Sequence, residues 1–462
     1  MRVLFIIYDN DSRVGIFPSN IAYLVSVLKG DHEVVIYQQD VYHYPDEHLT
    51  NYLDKNYFDV ICVGVIGGYY QYKKLLDISF AINESKNRPK SYILGGHGPS
   101  PDPGFFMEQT GADFVVIGEG EETIKELLGV IASKSSLEDV KGIAFHDESS
   151  ELVITEKREV IEDINSIRWP SYESFPIDYY KLYPVAKMGR TDSVMFVSSS
   201  RGCIYNCTFC YRMDKGYRVR DPKDVVAEVN YLQKNWRITF INFLDELLMS
   251  GKENVENLCL EIIQSGLNIK WYCNGRLNFA KPDILKLMKE AGCVFINYGI
   301  ESLNEEVLRT MRKKLTKQKI VTGIENTEKA GITPGLNFLF GNIGDTPSDL
   351  RQSVAFMLKH HDISEFRTIR PVTPYPGSEL FEYAIEQGLL KGIEDFYEKH
   401  VNSDLLTVNF TNLSDSKFYG YLKNANFSLA HNHYIKVMDS VLENVNKLYG
   451  EKNPSFRGFR TV

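Results

Sequence analysis

Cys203, Cys207 and Cys210 fall within eight positions of a 462-residue chain that carries seven cysteines. Three thiols are an odd number for disulfides and one short of a closed tetrahedral zinc site. The other four, Cys62, Cys259, Cys273 and Cys293, are scattered singly on other elements, where a reduced core thiol is the ordinary role. Three readings of the trio compete: buried structural thiols, a zinc site completed from elsewhere, and an iron-sulfur cluster. The last explains the count best, because three thiolates on a four-iron cluster leave one iron open to a ligand that binds and reacts.

A site of this kind must be held by regular elements. From Asp192 the chain alternates apolar runs with amphipathic helical stretches: "SVMFVSSS", "ITFINFLD", "IKWYCNG", "VFINYGIES", "GLNFLFGN" and "FRTIRPVTP" are the candidate strands. Six such units predict a partial (β/α)6 barrel of the TIM type, with its chemistry at the carboxyl ends of the strands. The three cysteines directly follow the first of them.

The first 130 residues alternate in the same way, from "RVLFIIY" through "HEVVIYQQ", "DVICVGVIG" and "SYILGG" to "DFVVIG". Runs that are apolar on both faces require a parallel sheet covered on both sides. A flavodoxin-like doubly wound domain follows, with ligands expected in the loops "YDNDSRVG", "GVIGGYYQ", "GGHGPSPDP" and "IGEGEET". The expected division is 1–135 for this domain, 136–190 for a connector that includes a hairpin, 191–388 for the barrel, and 389–462 for a mostly helical C-terminal cap.

Composition excludes several function classes. A net charge of -9 argues against a general basic footprint for nucleic acid. No stretch approaches eighteen uninterrupted apolar residues, so no transmembrane segment is expected. The apolar run Val3 to Tyr8 is too short for a signal sequence, and seven cysteines without an export signal read as reduced thiols in a cytoplasmic protein.

The spacing C-x3-C-x2-C, with Phe209 before the last cysteine, resembles the signature of the radical S-adenosylmethionine superfamily. The resemblance implies a [4Fe-4S] cluster on Cys203, Cys207 and Cys210, with S-adenosylmethionine on the open iron and Phe209 beside it. "NFLDELL" is similar to the family's acidic motif, implying that Asp245 and Glu246 bind the cofactor's amino group, although acidic residues also suit a helix start. "NYGIES" resembles a pattern in which the glutamate, here Glu301, contacts the ribose or methionine part. "GNIGDTPSD" departs from the family's turn after strand five, which leaves Asp345 without a specific role. In "TPYPGSEL", Pro376 and Gly377 are turn residues. Tyr211 and Arg212 line the substrate side or belong to a solvated loop.

A doubly wound domain ahead of such a barrel is similar to the cobalamin-binding (B12-binding) class of the superfamily. The resemblance implies cobalamin contacts from Gly95, Gly96 and His97 and from Gly118, Glu119 and Gly120. Glycines let backbone approach a large flat cofactor. The loop after the first strand reads "DNDSRVGIF" where histidine-ligating cobalamin proteins carry D-x-H-x-x-G, so no lower histidine ligand is expected from it. His97 is the histidine in an expected loop, with a turn or hydrogen-bonding role as its bland alternative. His431 and His433 in "AHNHY" are a paired-histidine motif whose ordinary reading is a helix surface.

The resemblance implies an enzyme that methylates an unactivated carbon through a 5'-deoxyadenosyl radical and methylcobalamin. Cobalamin-dependent radical cyclisation or rearrangement is the alternative, and a non-catalytic iron-sulfur electron-transfer protein is the reading from another class. The implied partners are a small-molecule or natural-product substrate and an external electron donor such as flavodoxin or ferredoxin. The open cluster corner speaks for catalysis, because electron transfer favours full protein ligation.

Overall fold

The computed structural model describes residues 1–66, 68–213, 216–360 and 362–452, with Tyr69 and Tyr70 described in backbone only. Gly67 of the loop "GVIGGYYQ", and Asp214 and Lys215 of the segment after the cysteines, lie outside the described residues.

The first unit runs β1 (Arg2–Ile7), α1 (Ser19–Leu28), β2 (Glu33–Gln38), α2 (Gln39–Tyr42), α3 (Asp46–Lys55), β3 (Val60–Gly64), α4 (Tyr69–Asn83), β4 (Ser91–Gly95), α5 (Pro103–Thr110), β5 (Phe114–Val116) and α6 (Gly120–Ser133). The strand order is β2-β1-β3-β4-β5, all parallel, as in a flavodoxin-like sheet. Alternation along β1 explains its unbroken apolar run: Val3, Phe5 and Ile7 enter the core beneath α1 and α6, while Leu4 and Ile6 enter the core on the other face. The predicted hairpin is β6 (Ile143–His146) and β7 (Leu152–Ile154). It does more than connect, because β6 pairs antiparallel with β5 and carries the sheet to seven strands.

A single turn, α7 (Ile177–Tyr180), leads to the second sheet. Its strands are β8 (Val194–Val197), β11 (Phe240–Phe243), β12 (Lys270–Gly275), β13 (Cys293–Glu301), β14 (Thr333–Phe340) and β15 (Arg370–Pro371). They form one open parallel row in the order β15-β14-β13-β12-β11-β8. The crossover helices are α8 (Pro222–Trp236), α9 (Lys252–Gln264), α10 (Pro282–Glu290), α12 (Lys317–Lys329) and α13 (Pro347–His360), with a short α11 (Glu305–Thr310) after β13. Local signals agree with this alternation: Asp221 caps α8 ahead of Pro222, and Thr316 caps α12. Between β8 and α8 the chain inserts an antiparallel ribbon, β9 (Ser200–Cys203) and β10 (Gly216–Val219). The run "SVMFVSSS" therefore ends as a barrel strand at Val197, and the residues leading to the cysteines belong to this ribbon.

The C-terminal helices divide between the two units. α14 (Glu379–Glu386) and α15 (Ile393–Lys399) place Phe381, Ala384 and Phe396 in the outer core of the first sheet. α16 (Asp415–Val445) packs Phe418, Leu422 and Leu429 into the core shared with the barrel. This region is helical as expected, and it braces both units instead of capping one. No helix among the described residues is long and apolar enough to cross a membrane.

Candidate functional site

The carboxyl ends of the two sheets face a common cavity of about 500 Å³. Its first wall is Gly64, Gly95 and Gly96 at the ends of β3 and β4, with Gly118 and Gly120 after β5; its opposite wall includes Ser200, Gly202, Leu244 and Glu246. The glycines are structural requirements as well as a smooth surface. Gly96 has φ +103°, and a Cβ there would stand 2.5 Å from the Val65 carbonyl oxygen. A large flat macrocycle needs such a wall free of side chains, so this face fits cobalamin. His97 also lines the cavity, and its ring meets Tyr211 edge-on with centroids 6.1 Å apart. That contact joins the first domain to the residue immediately after Cys210.

Glu119 behaves differently from the glycines around it. Its carboxylate accepts from Arg201 Nη1 at 3.0 Å, Arg218 Nη1 at 2.8 Å and the backbone N–H of Ile161 at 2.9 Å. Burial would raise its pKa, and the hydrogen bonds from Arg218, Ile161 and Arg201 together hold it below the ordinary value. Arg201 Nη2 also donates to Glu121 at 2.5 Å. Arg201 and Arg218 face each other across the β9–β10 ribbon, so the Glu119 side chain ties the cysteine-bearing ribbon to the start of α6 while lining the same cavity as its glycine neighbours.

The cysteine loop is fixed on several sides. Thr208 N–H donates to the Met311 carbonyl, the Thr208 carbonyl accepts from Leu380 N–H, and Arg212 Nη1 donates to the Cys203 carbonyl. Cys203 and Cys207 are half-buried and Cys210 is exposed. Although the residue as a whole is exposed, its sulfur sits among packed atoms, and that burial pushes the Cys210 thiol up to about 11, with the neighbouring Cys207, Glu246 and Cys203 pushing the same way. Mutual repulsion among thiolates is what a bound cluster relieves, and each thiolate of a four-iron cluster takes its own iron, so the donor set fits that group. Cys62, Cys259, Cys273 and Cys293 are buried core thiols.

The acidic pair after β11 splits by direction. Asp245 is buried at 1 % exposure and accepts from Ser199 N–H at 3.1 Å, Ser199 Oγ at 2.8 Å and Ser200 Oγ. These bonds hold the end of β8, and Asp245 is not among the residues that line the cavity. Glu246 is exposed, lines the cavity and acts on the Cys203 and Cys210 thiols. It is the member of the pair that faces the cavity.

Glu301 stands at the end of β13, where the pairing with β14 shifts register, with φ +66°. A non-glycine residue in this region stores backbone strain, a recurrent feature of functional sites. Its carboxylate accepts from Lys313 Nζ at 2.8 Å, and both groups are buried. Lys313 Nζ also lies 5.5 Å from the centroid of the Phe209 ring. Thus Phe209, Lys313 and Glu301 form one chain of contacts beside Cys210.

Other singled-out residues serve the scaffold. Asp345 accepts from the backbone N–H groups of Gly341 and Asn342 and from Asn342 Nδ2, and burial raises its pKa to about 6. Gly377 has φ +82°, and a Cβ there would come within 2.6 Å of Tyr211 Cδ2. His431 stacks on Phe427, whereas His433 is buried against Phe366 and Tyr434; no group of three His, Cys, Asp or Glu among the described residues is placed to hold a single metal ion. Arg276, which sequence reasoning missed, is buried over the Tyr205 ring between the cysteines. Its only signal was an arginine at the end of the strand "IKWYCNG".

Comparison with known proteins agrees with this architecture. The model of the radical SAM superfamily matches residues 197–357, and that of the B12 binding domain matches residues 12–128. An uncharacterized methyltransferase of Pyrococcus horikoshii is 30% identical over 382 residues, covering 81% of this chain and 79% of the relative. The anaerobic magnesium-protoporphyrin IX monomethyl ester cyclase of Rubrivivax gelatinosus is 25% identical over 398 residues, covering 83% and 70%. The radical S-adenosylmethionine methyltransferase TsrM of Kitasatospora setae, solved with cobalamin and a [4Fe-4S] cluster bound, shares the fold with a TM-score of 0.67 at 18% identity, covering 84% of this chain and 75% of that one. With its glycine-walled domain facing a three-cysteine barrel loop, the chain belongs to the cobalamin-binding radical S-adenosylmethionine enzymes, whose cofactors are a [4Fe-4S] cluster, S-adenosylmethionine and cobalamin.

Proposed function

We propose that the chain methylates an unactivated carbon of a small-molecule substrate. The observation that carries this reading is the single cavity that joins the glycine wall of the first domain to Gly202 and Glu246 of the barrel. The bound cofactors supply a hydrogen-abstracting radical from S-adenosylmethionine and a transferable methyl group from cobalamin. The residues of this chain place them. Cys203, Cys207 and Cys210 would hold the cluster that supplies the electron. Glu246 receives the cofactor's ammonium; Glu301, held by Lys313, and Phe209 border the rest of the same molecule. Gly95, Gly96, Gly118 and Gly120 admit the corrin face, with His97 at its edge. The Glu119 latch keeps the two walls in register.

The methyltransferase name of the archaeal relative supports transfer, and the cyclase name of the bacterial relative keeps radical ring closure as the second reading. The enzyme works in the cytoplasm with an external one-electron donor of flavodoxin or ferredoxin type. Anaerobic incubation of the reconstituted protein with cobalamin, S-adenosylmethionine and reductant tests the proposal. Production of 5'-deoxyadenosine together with S-adenosylhomocysteine is expected. 5'-Deoxyadenosine alone would favour cyclisation or rearrangement, and neither product would refute both.

A further inference from the structure

α16 carries two apolar faces. One, formed by Phe418, Leu422, Ala425 and Leu429, is buried in the core shared with the barrel. The other starts at Phe427 and faces outward: Phe427 is 68 % exposed, Tyr434 61 %, Met438 57 % and Leu442 55 %, with Ile435 and Val441 exposed beside them. Positions 427, 434 and 441 are seven apart, as are 431, 438 and 445, so the stripe advances in steps of four and three. That is the spacing at which one helix interlocks with another of the same pattern. A surface helix ordinarily keeps polar residues on the side turned away from its core, and here that side is apolar.

The stripe is large. Phe366, in the chain leading to β15, meets Tyr434 with ring centroids 6.0 Å apart and is itself partly exposed, which widens the patch. Taking ~150–250 Å² for a fully exposed aromatic side chain and somewhat less for an aliphatic one, the exposed parts of these residues offer ~700 Å² per copy. The main apolar patch of an ordinary monomer covers roughly 300–600 Å², and one partner's share of a stable interface is about 800 Å². A second copy laid on the same stripe would therefore bury close to what a stable pair needs.

Charge narrows the choice of occupant. Between Phe427 and Tyr449 the charged residues are Lys436, Asp439, Glu443 and Lys447, two of each sign, and Glu443 pairs with Lys447 at 2.7 Å. A helix that lies on an anionic membrane is rich in Lys and Arg on its polar side, which this one is not. The segment is balanced although the whole chain carries a net charge of -9, so two copies can meet there with little mutual repulsion. The stripe also lies away from the cavity. Phe418, near the start of α16, stacks on Phe340 at the carboxyl end of β14 with centroids 4.8 Å apart, whereas His433 meets Phe366 ahead of β15 at 5.3 Å. The helix thus runs toward the amino ends of the barrel strands, opposite the cysteine loop.

We propose that the C-terminal half of α16 is the interface of a homodimer, with the stripe from Phe427 to Leu442 of one copy packed against the same stripe of the other. The contact is isologous, so it closes at two copies and leaves both cavities open. The reconstituted full-length protein is compared with Met438→Glu and Val441→Glu, each of which places a charge in the stripe, and with Asp439→Asn, which leaves the stripe intact. All three positions are exposed; far-UV circular dichroism and iron per chain confirm folding and loading, and if one glutamate variant fails to fold the other decides. Sedimentation velocity over a range of micromolar concentrations reads the mass. Wild type and Asp439→Asn are expected at twice the chain mass, and the glutamate variants at the chain mass or with a dissociation constant raised about tenfold or more. A dimer that neither glutamate substitution weakens overturns the proposal, because its interface lies elsewhere. A monomeric wild type overturns it too, and two further measurements then identify the occupant. Pelleting with phosphatidylglycerol vesicles, lost in Met438→Glu, would assign the stripe to a lipid surface. Dimerisation only after removal of residues 453–462 would assign it to the chain's own end.

Discussion

Arg218 donates to Glu119 at 2.8 Å across the gap between the two sheets, from the strand that pairs with the cysteine ribbon to the residue that precedes α6. Arg201 grips the other oxygen of the same carboxylate. One glutamate therefore couples the wall suited to cobalamin to the ribbon ending in Cys203.

Glu119→Gln leaves two arginines with a neutral partner in a half-dry boundary. Stability should fall by about 3 kcal/mol, the order expected when one member of a buried pair is removed. Urea unfolding checks this, and faster proteolysis of the 136–190 connector should accompany it. An unchanged midpoint would show that the latch holds nothing.

Lys313→Met strands the Glu301 carboxylate in a buried, strained position. A loss of about 3 kcal/mol is expected in urea unfolding, and Lys313→Arg should retain most of the stability. Glu301→Gln should likewise cost about 3 kcal/mol, because Lys313 then stays buried beside a neutral partner, and under conditions where both proteins are folded it should weaken S-adenosylmethionine binding about tenfold, read by equilibrium dialysis. Equal affinity in the two proteins would remove Glu301 from the cofactor site.

Gly377→Ala introduces both a φ that an L side chain rarely adopts and a clash with Tyr211. The backbone part costs about 1–2 kcal/mol. The clash displaces the loop that follows Cys210, so iron per chain after reconstitution should drop. Adding Tyr211→Ala should restore much of the iron while leaving the backbone cost; no recovery would place the damage elsewhere.

Asp40 supplies a pH dependence. Burial raises its carboxyl from 3.8 to about 7, against the opposing hydrogen bond from Tyr180. A raised acid favours the folded state when protonated, so its contribution is fully present below the unfolded value and is lost as pH rises through the folded one. Wild-type stability should therefore decline between about pH 4 and pH 7, and Asp40→Asn should flatten that part of the profile. Thermal melts across this range suffice; identical slopes would refute the assignment.

Some of the site was legible because it depends on neighbours in the chain. The spacing of Cys203, Cys207 and Cys210 and the doubly apolar run of β1 carry their meaning locally. The hairpin of β6 and β7 was legible as a hairpin, but its pairing with β5 was not, since a turn signal does not name the third strand. The acidic pair Asp245 and Glu246 shows the limit sharply. Adjacent residues at a strand end point to opposite sides, so one must turn inward, and only the position of Ser199 and Ser200 selects Asp245.

By itself the sequence determined two alternating α/β units in series, a three-thiol loop after the first barrel strand and glycine-rich turns at the first sheet's carboxyl edge, because apolar period and residue spacing act over short distances. Tertiary structure decided the rest. It made Glu119 a latch, set Arg276 over Tyr205 without a carboxylate, and divided the C-terminal helices between two cores. Each of those outcomes depends on a partner distant along the chain, and a side chain's charge or apolarity states what it needs without stating who supplies it.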